Sequence, residues 1–176
     1  MESGISSRHE NFKLADNESL EWLAQWQKLE SGIGKGMIAV IIGERGAGKT
    51  QMAVCAIRVS CKLEHSSKFT KALSFFLDVR SAYKKDSDST EKMIIEKYCA
   101  PKMLVIDAIE NRSDSSFENL LLNHLIDIRY DRCLDTILIG NFDEKQFAAS
   151  MGMSIVDRIH ECGIKILCNW CSFRRQ

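Results

Sequence analysis

The stretch GERGAGKT, from Gly43 to Thr50, satisfies the pattern G-x-x-x-x-G-K-[ST], with the apolar run GMIAVIIG in front of it and a helical pattern, KTQMAVCAIRVSCKLE, behind. That combination suits a nucleoside triphosphate. Glycines let the backbone curl until consecutive N–H groups point inward at phosphate oxygens, at the positive end of a helix dipole. Lys49 reaches the β and γ phosphates, and Thr50 offers its hydroxyl to Mg²⁺. The expected nucleotide contacts are the loop and the residue after it: Gly43, Glu44, Arg45, Gly46, Ala47, Gly48, Lys49, Thr50 and Gln51. A second acid should end a nearby buried strand and face the magnesium shell, and Asp107 in LVIDAIEN does so. Many hydrolytic P-loop proteins place Glu directly after this Asp to polarise the attacking water, but here that residue is Ala108. Glu110 is the next acid along, and the shape of the turn decides whether it reaches back.

The elements that must position these groups are legible as hydrophobic periods. DNESLEWLAQWQKLESG sets Leu20, Leu23, Trp26 and Leu29 at helical spacing behind Asp16 and Asn17, so an amphipathic helix precedes the first strand. Short apolar runs follow at GMIAVIIG, ALSFFL, KMLVIDAI, DTILIG and GIKILC, each read as a buried strand. Helical patterns separate them at TEKMIIEKY, FENLLLNHLIDIRYD, and EKQFAASMG with SIVDRIHE. Strands alternating with helices give an α/β fold, a P-loop core with a five-stranded parallel sheet and helices on both faces. Residues 1–36 form a polar segment with one amphipathic helix, its first ten residues frayed, and residues 37–176 form the core.

The chain has 176 residues, which leaves no space for a second full domain. Lys+Arg and Asp+Glu both number 24, so any polyanion must be held by a local patch and not by a global field. Seven cysteines without a secretory leader point to reduced thiols in a cytoplasm. The apolar runs are far shorter than the roughly 20 residues a membrane span needs.

Taken in order, GERGAGKTQMA, LVIDAIE, ILIGNF, SIVDRIHE and NWCSFRRQ resemble the AAA+ ATPase core of the DnaC/DnaI helicase loaders and the related IstB transposition ATPases, over roughly Phe12 to Arg175. The resemblance implies ATP and Mg²⁺ as cofactors and an ATPase activity that Ala108 puts in question. It casts Lys49, Asp107, Asn141 and Arg158 as the catalytic set, with Thr50 and Asp107 on the metal. Asn141 matches the γ-phosphate sensor, and Arg158 of the Asp157-Arg158 pair matches the arginine that acts on a neighbouring subunit's nucleotide. The resemblance also implies self-association into an oligomer or spiral, a replicative helicase as partner, no membrane, and single-stranded DNA contact. Lys68, Lys71, Tyr83, Lys84 and Lys85 are the DNA candidates, with Arg174 and Arg175 at the tail; Arg174 is alternatively a second sensor. The domain with which the loaders grip the helicase is expected to be missing or reduced to a helix, which suits a phage or mobile-element member. The alternatives are an IstB-like transposition ATPase and a hydrolysis-deficient scaffold or inhibitor of a loader.

Two further patterns compete with ordinary packing. Cys168 and Cys171 form C-x-x-C with His160 and Cys162 close before them, a possible zinc set that a final buried strand explains better. Trp22 and Trp26 lie four apart, either a partner-binding stripe or core.

Overall fold

The computed structural model describes Ile5 and residues 19–113 and 115–173. The expected fraying of the first ten residues, the Asp16–Asn17 helix start and the roles of Arg174 and Arg175 therefore lie, Ile5 apart, outside the described residues. Helix α1 (Leu20–Glu30) starts behind Ser19, whose hydroxyl accepts from the Trp22 amide. Trp26 and Leu29 are buried as expected and Leu23 packs partly buried beside them, but Leu20 is 81% exposed and Trp22 takes its place on the buried face. The two indoles stack with centroids 6.2 Å apart and sit in the core, so they are packing residues and not a surface stripe.

The remaining elements are β1 (Ile38–Gly43), α2 (Lys49–Lys62), β2 (Ser67–Lys71), α3 (Ala72–Ser81), α4 (Glu91–Cys99), β3 (Met103–Asp107), a 3-10 turn (Ile109–Asn111), α5 (Ser116–Asp131), β4 (Asp135–Gly140), α6 (Glu144–Cys162) and β5 (Gly163–Cys168). All strand pairs are parallel, in the order β2-β3-β4-β1-β5. Side chains alternate along each strand, so each supplies both layers. Ile38, Val40 and Ile42 face one core with residues of α3, α4, α5 and α6. Ala39 and Ile41 face the other, with α1 and α2.

One expected strand is a helix. ALSFFL opens α3, and the second strand is the preceding SKFTK. The buried residues Ala72, Phe75, Phe76 and Val79 follow the i, i+3, i+4, i+7 rule of a helix face, which a six-residue apolar run does not disclose. SKFTK is polar because β2 is the sheet edge, bonded on one side only. The two helical patterns near the C-terminus are one element, α6, broken at Gly152 with φ 76° and ψ 162°.

At the amino edge of the sheet, Arg129 has no exposed surface. It donates to the carbonyls of Tyr98 (2.9 Å), Pro101 (3.0 Å) and Asp135 (2.6 Å), and to Thr136 Oγ1 (2.9 Å). Burial pushes its pKa down to about 10, so it stays charged at neutral pH. Asp135 accepts from the amides of Gly34 (2.6 Å), Gly36 (2.8 Å) and Met37 (3.1 Å), fixing the entry into β1. Arg129→Met should cost about 3 kcal/mol or more, since it strands buried carbonyls from α4, the turn before β3, and β4 together. Urea unfolding followed by circular dichroism measures this.

Candidate nucleotide site

At the carboxyl edge of the sheet a cavity of about 630 Å³ is lined by Arg45, Gly46, Gly48, Lys49, Thr50 and Gln51 of the loop and α2, and by Lys71, Asp107, Ala108, Glu110, Asn111, Ile139, Gly140, Asn141 and Phe173. A crevice at the ends of parallel strands is where open α/β sheets bind ligands. The loop is possible because Gly43, Gly46 and Gly48 all take positive φ, at 140°, 87° and 78°. A side chain at Gly43 would also meet the Cys168 carbonyl at 2.4 Å, because β5 pairs beside it.

Lys49 folds its ammonium over the loop, donating to the carbonyls of Gly43 (2.8 Å) and Glu44 (2.6 Å). Gly43 and Glu44 otherwise border a separate hollow with Phe142 and Trp170, and Ala47 is wholly buried, so these three expected contacts do not line the cavity. Thr50 Oγ1 donates to Asp107 Oδ2 at 3.3 Å, bringing together the hydroxyl and carboxylate expected on the metal. This donor set, one hydroxyl and one carboxylate beside an ammonium, fits a hard divalent cation carried by phosphates. Burial pushes the Asp107 carboxyl above its ordinary value, bonds from the Ala108 amide and Thr50 oppose the rise, and Glu110 adds to it.

The turn after Asp107 decides where the displaced acid goes. Ala108 takes the left-handed conformation, φ 56° and ψ 47°, at a cost of roughly 1–2 kcal/mol for a non-glycine residue. The chain then enters the 3-10 turn, which buries Ile109 and sets Glu110 on the cavity wall. There its carboxylate accepts from the Asn141 amide at 3.2 Å and from the Asn141 side chain. Asn141, directly after β4, is thus brought to the acid as well as to the loop.

Arg158 is not in this cavity. It lies in a second hollow with Tyr130, Ser154, Asp157 and Glu161. Its guanidinium pairs with Asp127 at 2.9 Å, donates to the Ser154 carbonyl at 3.0 Å, and sits 5.4 Å from the Tyr130 ring centre. The expected DNA residues divide. Lys68 lies in β2 with its ammonium 4.1 Å from the Tyr98 ring centre, and Lys71 lines the nucleotide cavity. Tyr83, Lys84 and Lys85 are exposed after α3. No group of three or more metal-ligating side chains occurs among the described residues, and burial pushes the Cys168 thiol up to about 12, as for an apolar strand residue. Sequence reasoning missed Lys71, Asn111 and Phe173 on the cavity wall. Lys71 comes to the wall because β2 pairs it beside Asp107, a pairing the sequence did not show, and Phe173, in the segment after β5, carried no signal either.

The sheet order, the glycine loop and the acid at the end of β3 define an AAA+ P-loop core. Residues 13–176 match the family model described as IstB-like ATP binding protein, and the chain belongs to that family. It is similar to the replicative helicase loader DnaC of Escherichia coli K12, 25% identical over 183 residues that cover 98% of this chain and 73% of that protein. It is also similar to the DnaC loader of Buchnera aphidicola subsp. Baizongia pistaciae, 22% identical over 144 residues, which make up 81% of this chain and only 58% of the relative's length. The fold matches the crystal structure of the DnaC helicase loader with a TM-score of 0.77 at 17% identity, over 92% of this chain and 99% of that one. Among the described residues no helix is long and apolar enough to cross a membrane.

The direction of the Asp107 shift gives a sign. Because folding raises its pKa, the carboxyl favours the folded state while protonated, and that stability is lost as pH rises through the folded value. Asp107→Asn should therefore melt no lower than the parent at neutral pH without Mg²⁺, while losing the extra stabilisation that Mg²⁺ gives with ATP. Thermal melts with and without Mg²⁺-ATP measure both.

Proposed function

We propose that this chain is an ATP-driven switch of the helicase-loader type, acting in the cytoplasm: it binds ATP with Mg²⁺, assembles with copies of itself, turns the nucleotide over and holds single-stranded DNA for a replicative helicase. The observation that carries turnover is the Glu110 carboxylate on the wall of the same cavity as Lys49, Thr50, Asp107 and Asn141. Lys49 exchanges its two loop carbonyls for the β and γ phosphates. Thr50 and Asp107 hold Mg²⁺, which neutralises charge on those phosphates. Glu110 takes the place that Ala108 leaves vacant, accepting a proton from the attacking water, while Asn141 orients the acid and meets the γ-phosphate. Exposed Tyr83 beside Lys84 and Lys85 offers an aromatic face next to cations, the pairing that suits single strands.

Lys49→Ala should abolish ATP binding. Glu110→Gln keeps one of the two acceptors for Asn141 and loses the base, so phosphate release should fall by roughly 10²–10³ with ATP affinity kept within about threefold. Ala108 favours one other reading, a scaffold or inhibitor that retains ATP. Stoichiometric retention with no phosphate release from the unmutated protein, with or without single-stranded DNA, would establish it against turnover.

Arg158 serves the neighbour's nucleotide in this scheme, which its distance from its own cavity supports. Arg158→Ala should bind ATP normally yet lose most turnover, on the order of 10³ in rate. Mixing it with Lys49→Ala should restore part of the activity, because a mixed interface pairs an intact loop with an intact arginine. Steady-state phosphate release from the mixture reads this, and absence of any rescue in a protein that assembles would reduce Arg158 to the partner of Asp127.

A further inference from the structure

The phosphate loop is itself held from outside. Three consecutive carbonyls accept hydrogen bonds from groups that belong to neither the loop nor its flanking strand and helix. The Phe173 amide donates to Gly46 O at 3.0 Å. Trp170 Nε1 donates to Ala47 O at 3.0 Å, and Trp22 Nε1 to Gly48 O at 3.4 Å. The last is long and weak, and Gly48 O also accepts the first bond of α2, from Met52 N at 3.0 Å. The rings close against the backbone as well: a side chain at Gly48 would come within 2.8 Å of Trp22 Nε1 and 2.9 Å of the Phe173 ring. Trp22 arrives from α1, and Trp170 and Phe173 arrive from the segment that follows β5.

In a planar trans peptide the carbonyl of one residue and the N–H of the next point in opposite directions. Pinning the carbonyls of Ala47 and Gly48 turns the N–H groups of Gly48 and Lys49, both residues of the cavity wall, away from the donors, and pinning that of Gly46 fixes the buried peptide before them. Those N–H groups are what a curled loop offers to phosphate oxygens. A loop built on three positive-φ glycines has much backbone freedom to lose, so a fixed outer contact lowers the cost of ordering it on binding.

We propose that Trp170, the Phe173 amide and, more weakly, Trp22 form a strap that holds the loop amides in their phosphate-binding orientation before nucleotide arrives. Nucleotide affinity is then set partly by the residues after β5 and by α1, as positioning groups that touch no phosphate. This rests on the phosphate-binding reading of the loop.

Trp170→Phe keeps a ring and deletes the donor. Affinities for ATP and for inorganic tripolyphosphate, by calorimetry, should weaken by a common factor of roughly three to ten, the loss of one ordinary hydrogen bond. Hydrogen exchange over residues 43–50 without ligand should rise, with the melting temperature lower by about 2–4 °C. Trp22→Phe should act in the same direction with a smaller factor. Unchanged affinities and unchanged exchange in Trp170→Phe would overturn the strap, and so would weakened ATP binding with tripolyphosphate unaffected, which would put Trp170 at the base. If Trp170→Phe does not fold, Trp22→Phe, which also keeps a ring and deletes a donor, gives the same comparison. Unmutated protein that binds neither probe would refute the phosphate reading, while the exchange comparison would still decide whether the strap orders the loop.

Discussion

The backbone of Gly43 to Gly48 must curl through conformations that side chains oppose, and the rest of the structure is arranged around keeping that curl in one place. β1, which leads into it, is bonded on both sides, to β4 and to β5, so the loop leaves from a fixed point. α2 begins at Lys49 and takes the exit, with Gly48 as its left-handed cap. The pairing of Gly43 with Cys168 closes the third side so tightly that only glycine fits. A loop of this composition would be among the most mobile parts of an isolated peptide, and here it is bordered by strand, helix and the tail after β5.

The two edges of the sheet divide the work. At the amino edge, Arg129 and Asp135 give a set of buried carbonyls and amides their partners. At the carboxyl edge the polar groups are left adjustable. Lys49 rests on two loop carbonyls that it can exchange for phosphates, and Glu110 rests on Asn141. The site carries cations from Arg45, Lys49 and Lys71 against carboxylates from Asp107 and Glu110, a mixture that suits a ligand bringing both phosphate charge and a metal. Of the three left-handed non-glycine residues among those described, Glu64, Ala108 and Cys133, Ala108 sits where it aims an acid.

The sequence by itself determined the phosphate loop, the acid at the end of the third strand, the polar residue after the fourth, and four of the five strands, because each is a local pattern: glycines spaced within one turn, or an apolar run bounded by polar residues. It did not determine the second strand, since SKFTK owes its extended form to the neighbour β3 and ALSFFL is short enough to read either way. Tertiary structure alone decided that Glu110 reaches the cavity, through a left-handed alanine that no period reports. It decided that Lys71 lines the same cavity as the phosphate loop, and that Arg158 is held by Asp127 from a different helix. It also decided that Trp22 and Trp170, separated by most of the chain, meet adjacent peptides of one loop. Local spacing fixes which atoms a segment can offer, whereas which of them converge depends on contacts between residues far apart in sequence, and those exist only once the sheet has brought its strand ends together.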